Sequence, residues 1–495
     1  MKGKKNLCSL SDTSVLEYCS TVCRVGDVTP IEGSDFLAKT VINGFDIVVR
    51  KDETKTGDIV IYVPIECSLN SDYLSCNNCY AYNLRSLNAN AEAVEAVTAE
   101  GDIDKAKRMC GFFETNGRVR ILKLRGTYSM GYLCTPESLV KWIHGTDADK
   151  QWFYDNAGFT FDTIKDKLFV KAYVPDKKGN RPSKKMRKYY KKKEDKFCRI
   201  IDFTFHYNTL QLNANMGRLS EDRTVTITPK LHGTSIICSN TLVNNPVILS
   251  KFDKTMNKVF RHCSLKSVKK NIRPSKRVGY GNVFSSRSEI RNAFLYADKD
   301  GQYKERKGKF VWDYVNSVIK DYIPKGFTLY GEVVGYYAGK IIQKGYDYGC
   351  NDNQCKLMIY RIHDNNTNTE YNVGDVKAWT EALIKKNPIL KDALMPIPIL
   401  YHGKLSDLYA ELDTTENEWY LKALDLLKAD AEHFGMEEKE PLCKNSVYRE
   451  GVVIRMDDDP IAEAFKLKCK KFLEKEAKQI DKGEVDIELA ENNEY

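Results

Sequence analysis

Apolar and polar positions alternate along three short segments near the start of the chain, Ala38–Ile42, Phe45–Arg50 and Asp58–Val63, and this period of two predicts strands. Turn signals separate them at Asn43-Gly44 and Thr56-Gly57-Asp58. The pattern then changes. Ala91, Val94 and Val97 recur at helical spacing, and Arg118–Leu124 and Tyr132–Thr135 return to strand character around Gly126 and Gly131. Five or so strands with one helix in about 140 residues suit a small closed barrel of the oligonucleotide-binding kind.

From about Ile201 the pattern becomes mixed α/β. Two helices are expected late in the chain. One follows Asp375, with Val376, Trp379 and Leu383 on one face. The other starts at a capping-box candidate, Thr415-x-x-Glu418, carries Tyr420, Ala423, Leu424, Leu427 and Phe434, and stops at Gly435. Their apolar stripes are most simply core.

The chain of 495 residues is long enough for two to four domains, and 42% hydrophobic with 11% aromatic residues excludes a disordered chain. No run approaches the ~18 apolar residues of a membrane span. The basic opening Met1-Lys2-Gly3-Lys4-Lys5 runs into a polar stretch rather than the apolar region of a signal peptide. A soluble, intracellular protein with reduced thiols is therefore expected, since 15 scattered cysteines do not form a disulfide framework. Cys76-Asn-Asn-Cys79, with Cys67 and Cys110 nearby, is a zinc candidate, but it lacks a second Cys-x-x-Cys or a neighbouring His pair. Ordinary buried thiols are the simpler expectation.

Charge changes the picture through its placement. The net charge is +9, whereas Lys177–Arg199 alone holds twelve basic residues against Glu194 and Asp195, with Tyr189 and Tyr190 inside the tract. A second tract, Lys258–Arg277, carries eight basic residues and no acid, and the tail after Lys482 is acidic. Such runs are often solvated linkers. The alternative is phosphate contact with RNA, for which Lys184, Lys185, Arg187 and Lys188 are the candidates. Phosphate contacts carry no base information, so neither tract selects a sequence.

Chemistry is concentrated in five motifs in order. Thr226-Ile-Thr-Pro-Lys230-Leu-His-Gly-Thr-Ser235 places Lys230 at a strand end before a glycine loop, with Val225 and Ile227 expected on one face and Thr226, Thr228 and Lys230 on the other. Val283-Phe-Ser-Ser-Arg287 presents one guanidinium, and Thr328-Leu-Tyr-Gly-Glu332-Val-Val-Gly335 is an apolar strand with a lone carboxylate. Leu357-Met-Ile-Tyr360-Arg-Ile-His363 carries an aromatic on one face. Glu450-Gly-Val-Val-Ile-Arg455 and Phe465-Lys466-Leu-Lys468 complete the set, with alternation sending Lys466 and Lys468 to one side. A charge in an apolar strand needs a partner. Two carboxylates, three lysines and an arginine converging from separate strands would satisfy one another around a metal–nucleotide complex, and isolated salt bridges are the simpler alternative for each one alone.

The ordered set resembles the covalent nucleotidyltransferase superfamily of polynucleotide ligases and capping enzymes, and within it ATP-dependent RNA ligases. The match runs from about Phe203 to Phe472. Gly26-Asp-Val-Thr-Pro-Ile-Glu-Gly33 and Arg118-Val-Arg-Ile-Leu-Lys-Leu-Arg-Gly126 resemble the branch that carries an OB domain first. The resemblance implies an α+β protein: an N-terminal OB-type β-barrel, then a mixed α/β nucleotidyltransferase domain (ATP-grasp-like) of antiparallel sheets and helices. It implies that Lys230 takes AMP from ATP as a phosphoramidate. Arg287 and Glu332 would bind the ribose, with Glu332 also facing the water shell of a Mg²⁺ or Mn²⁺ ion. Tyr360 would stack on adenine, Glu450 would hold the metal, Lys466 and Lys468 would contact the α-phosphate, and His232 and Gly233 would complete the nucleotide site. Many members carry Asp where this chain has His232, although another RNA ligase branch also has Lys-x-His-Gly-Thr; Pro229 replaces a frequent acidic residue.

The implied activity is RNA strand joining, with nicks in duplexes as the expected substrate. DNA ligases of the usual layout and capping guanylyltransferases place the OB domain last, and only 27 residues follow Lys468. A non-catalytic RNA-binding protein on the same fold would be expected to lose Lys230, Glu450 or a lysine of the pair, and none is lost. Expected boundaries are 1–145 for the OB domain, 146–200 for a basic linker or insertion, 201–480 for the adenylyltransferase domain and 481–495 for the acidic tail. A monomer away from membranes is expected, in the cytoplasm, including that of a virus-infected host cell.

Overall fold

The computed structural model describes residues 7–11, 15–173, 199–200, 203–205, 209–219, 223–246, 250–262, 276–287, 290–291, 296–297, 303–304, 310–415 and 419–481. The tract holding Lys184, Lys185, Arg187 and Lys188 lies outside them. The chain divides into two compact units, the first built from 1–175, 211–216 and 473–483, the second from 176–210, 217–472 and 484–495. Among the described residues no helix is long and apolar enough to cross a membrane.

The first unit is an OB-fold domain. Leu37–Ile42 and Phe45–Arg50 form a hairpin about Asn43-Gly44, both at positive φ as the tight turn requires. Ser20–Arg24 pairs with Ile59–Val63, which pairs in turn with Tyr132–Cys134. Strand Ile59–Val63 is buried on both faces. Its Val60 and Tyr62 join an apolar core with Ile47, Ile121 and Met130, while Ile59, Ile61 and Val63 join a second core with Tyr73, Leu139 and Phe161. The expected helix is Ala91–Ala99, with Val94 buried. The strand expected over Arg118–Leu124 is shorter, Leu122–Leu124, because Arg118 makes only an isolated bridge to Ser68. Its buried guanidinium lies 2.8 Å from Glu66 and 3.4 Å from Asp481. Leu473 and Ala477 complete the first core. Cys79 and Cys67 are buried free thiols, and burial pushes both up from the ordinary cysteine value.

The second unit carries two antiparallel sheets with helices. In one, Thr234–Pro246 pairs with Lys276–Ser285 and Phe327–Tyr337, and the latter pairs with Cys355–Asp364. In the other, Ala464–Lys468, Gly451–Met456, Val225–Lys230 and Tyr401–Gly403 lie side by side. Val225–Lys230 is buried on both sides up to Lys230, so the expected polar face of Thr226 and Thr228 turns inward; Thr226 Oγ1 lies 2.9 Å from His402 Nδ1. The helix around Val376 runs Val373–Lys386 and is capped by Asn372, whose side chain accepts from the Asp375 N–H. The later helix covers Trp419–Ala429. It ends before Phe434 and Gly435, because Asp430 captures the His433 N–H and opens a separate turn. Thr415 bonds Asp413 instead, and Glu418 lies outside the described residues.

Candidate active site

Strand Val225–Lys230 ends at Lys230, and Leu231, His232 and Gly233 carry the chain across to the other sheet, where Thr234 begins the next strand. Three backbone groups of this crossing have side-chain partners. The His232 N–H donates to the Tyr348 hydroxyl at 2.7 Å, the Gly233 N–H to Glu332 Oε1 at 3.1 Å, and Gln343 Nε2 donates to the Gly233 carbonyl at 2.8 Å. A Cβ at Gly233 would lie 2.4 Å from the Val333 carbonyl oxygen, so only glycine lets the crossing pass the Glu332 strand.

Strand register builds the cationic half of the site. Lys230 pairs with Gly451, and Gly451 pairs with Lys468. Directly paired residues share a face, as do residues two apart, so Lys230, Lys468 and Lys466 all lie on one face. Gly451 sits between the lysines at φ 153°, where a Cβ would lie 2.1 Å from the Leu467 carbonyl oxygen. Phe465 and Leu467 are buried on the opposite face, as alternation predicts.

Glu450, one residue before Gly451, is buried among these cations. Its Oε1 lies 2.6 Å from Lys230 Nζ and 3.5 Å from Lys468 Nζ, and its Oε2 is 3.6 Å from His232 Nδ1. Burial alone would raise the Glu450 carboxyl, but Lys230, then Lys468 and His232, outweigh it and hold the group well below the usual carboxylate range. Oε2 is buried and, among the described residues, accepts no hydrogen bond. A hard anionic oxygen with spare capacity suits a divalent ion of the Mg²⁺ or Mn²⁺ kind. Among the described residues no three His, Cys, Asp or Glu side chains form a metal cage. Glu450 would be a protein ligand to such an ion, with phosphate oxygens and water completing the shell.

The remaining expected residues occupy the other sheet. Glu332 is half-buried, midway along Phe327–Tyr337. Tyr360 occupies a bulge: Tyr330 pairs with Arg361 and Gly331 with Ile359, leaving Tyr360 as the extra residue. Arg287 is exposed just beyond strand Lys276–Ser285. The geometry thus brings Lys230, His232 and Lys468 to Glu450 and ties Glu332 to Gly233.

Five participants escaped sequence reasoning. The His232 ring stands edge-on between Tyr346 and Phe472, 4.8 and 5.0 Å between centres, and the Lys468 ammonium lies 5.3 Å from the centre of the same Phe472 ring. Gln343 and Tyr348 hold the crossing backbone from the same short segment. Asp347 within it accepts the N–H groups of Gly349, Lys444 and Asn445, fixing the approach to Glu450. Their only sequence signal is two tyrosines in a glycine-flanked run, Gly345-Tyr-Asp-Tyr-Gly349.

A family described as RNA ligase matches residues 223–470, half of the chain, and an OB-fold domain matches residues 19–88. No curated protein matches the sequence. Among solved structures, a Naegleria gruberi RNA ligase mutant with AMP and Mn is similar with a TM-score of 0.51 at 14% identity, covering 92% of this chain and 98% of that one. An apo mutant of the Naegleria gruberi RNA ligase gives 0.50 at 14% identity, covering 93% and 99%. At such identity the likeness is one of fold.

Proposed function

The chain belongs to the RNA ligase family, and we propose that it is an ATP-dependent ligase that joins 3′-OH and 5′-phosphate RNA ends, with nicks in duplexes as substrate. The observation that carries this reading is the Lys230–Glu450–Lys468 cluster at the crossing between two sheets. In the first step the Lys230 amine, having shed its proton, attacks the α-phosphorus of ATP; a P–N bond forms and pyrophosphate leaves. In the second, an oxygen of the RNA 5′-phosphate attacks the same phosphorus, and the P–N bond breaks to restore Lys230. In the third, the 3′-hydroxyl attacks the RNA 5′-phosphate and AMP leaves.

Lys466 and Lys468 oppose the charge that grows on the α-phosphate. Before nucleotide arrives Glu450 pairs with Lys230, and this contact is exchanged when Lys230 turns to the α-phosphorus. Glu450, with Glu332 facing the water shell, would hold a Mg²⁺ or Mn²⁺ ion, which would supply further neutralisation of the phosphates. Arg287 and Glu332 are assigned to ribose and Tyr360 to the adenine face, to which a bulge is well suited because it re-aims a side chain. Lys184, Lys185, Arg187 and Lys188 are assigned to RNA phosphates.

Incubation with α-labelled ATP and a divalent metal, followed by denaturing electrophoresis, tests the reading. The expected result is a label that survives denaturation and is discharged by a 5′-phosphorylated RNA nick. A label from GTP alone would replace the reading with capping, and no label from either nucleotide would favour an RNA-binding protein without chemistry.

Tyr348 is expected to position the crossing. Tyr348→Phe leaves the His232 N–H without its acceptor, at about 1 kcal/mol or slightly more, so AMP attachment at saturating ATP should slow about fivefold to tenfold. Single-turnover labelling checks this. An unchanged rate, with ATP affinity also unchanged, would mean that the crossing holds its shape without the hydroxyl.

A further inference from the structure

Helix Lys251–His262 lies in the chain between the Lys230 and Arg287 motifs, and the chemistry above makes no use of it. Lys251, Lys254, Lys258 and Arg261 recur at spacings of three, four and three, which places them in one stripe along the helix. All four are exposed, and among the described residues none forms an ion pair. The helix has one acid, Asp253, and it is engaged at the N-terminus: its carboxylate accepts from the Ser250 hydroxyl at 2.8 Å, and its N–H donates to Ser250 Oγ at 3.0 Å.

The rest of the helix surface is divided. Asn257 is buried, and Met256 and Phe260 are half-buried. Phe252 and Val259 are 71% and 56% exposed, beside the cationic stripe rather than beneath it. Unpartnered cations flanked by an exposed aromatic are the arrangement that holds a nucleic-acid strand, with cations on the phosphates and a ring for an unpaired base. The stripe spans about 15 Å, over which one strand of a duplex presents about four phosphates. A membrane surface would need a broad apolar face. Only Phe252 and Val259 are free to supply one.

We propose that helix Lys251–His262 is an RNA-binding surface separate from the nucleotide site, with Lys251, Lys254, Lys258 and Arg261 on the sugar–phosphate backbone and Phe252 against an unpaired base. The proposal rests on the ligase reading for its substrate class.

The test uses the full chain with all four cations changed to Gln, which keeps a good helix former at each position. Binding to a 5′-phosphorylated nicked RNA duplex is measured by fluorescence anisotropy between about 50 and 200 mM salt. Removing one cation from a phosphate should reduce the slope of log K against log salt by about 0.7 to 0.9, so the variant should be shallower by about 3. Self-adenylylation should be unchanged, which also reports that the domain is folded. Phe252→Ala should weaken binding of single-stranded RNA at least about fivefold. An unchanged slope in a variant that still takes AMP would overturn the helix proposal alone. Loss of the label from the unaltered chain would instead overturn the ligase reading. Anionic phospholipid vesicles that bind the unaltered chain and not the variant, while RNA binds both equally, would overturn the RNA assignment in favour of a membrane.

Discussion

Lys230→Ala should carry no AMP. Denaturing electrophoresis after incubation with α-labelled ATP should show labelling at least about 10³-fold below the unaltered chain, the scale on which loss of a covalent nucleophile is felt. The fold should tolerate the change. Lys230 is the last residue of its strand, its side chain is 26% exposed, and Glu450 keeps Lys468 and His232 as neighbours. Lys230→Arg separates charge from chemistry: a guanidinium can still pair with Glu450, yet it stays protonated and cannot attack phosphorus. Both variants should be folded and unlabelled. Persistent labelling of the alanine variant would remove Lys230 as nucleophile and turn attention to another lysine on the same face.

Lys230 was singled out by the resemblance of the ordered motifs to RNA ligases, whereas local geometry reached only the side of a strand on which a residue lies. A period of two places Lys466 and Lys468 on one side of their strand whatever else the chain does, and that arrangement stands in the structure. The row Lys230–Gly451–Lys468 was not legible, because register between strands so far apart in sequence is set by pairing rather than by any local pattern. The same limit explains the surroundings of His232. Sequence alone marks His232 only as part of the Lys-x-His-Gly-Thr motif, and the groups around it, Tyr346 and Phe472 against the ring and Tyr348 on its backbone, come from distant segments. Helix existence was legible from spacing, whereas helix ends depended on single polar contacts: Asp430 takes the His433 N–H before the apolar pattern is exhausted. Partnering itself was foreseeable. Arg455 interrupts an apolar strand and had to find an acid, but the pattern could not say which one.

The structure supplies two, Asp457 and Glu370, and removal of Glu370 should produce the largest loss of stability in the second unit. The Glu370 side chain is fully buried, with Oε2 at 3.1 Å from Arg455 Nη2 and Oε1 at 3.4 Å from Arg361 Nη1. Arg455 also lies 2.9 Å from Asp457 and donates to the Tyr371 carbonyl at 2.7 Å, so the cluster ties the Gly451–Met456 strand to the segment beside Cys355–Asp364. Burial pulls Arg455 below the usual arginine value, and Arg361 adds to that pull while Asp457 and Glu370 oppose it. Glu370→Ala leaves two buried guanidinium groups short of charge and should cost about 3–5 kcal/mol. In a unit of about 300 residues the melting midpoint should fall by about 5–8 °C, which differential scanning calorimetry would read directly. A shift under about 2 °C would mean that water reaches the arginines once the carboxylate is gone. Replacing Glu370, Arg361 and Arg455 together by apolar residues of similar volume should cost less than the single change, because no charge is then left stranded. At temperatures where the single variant remains folded it should still take AMP, since none of the three side chains is assigned to the Lys230 site.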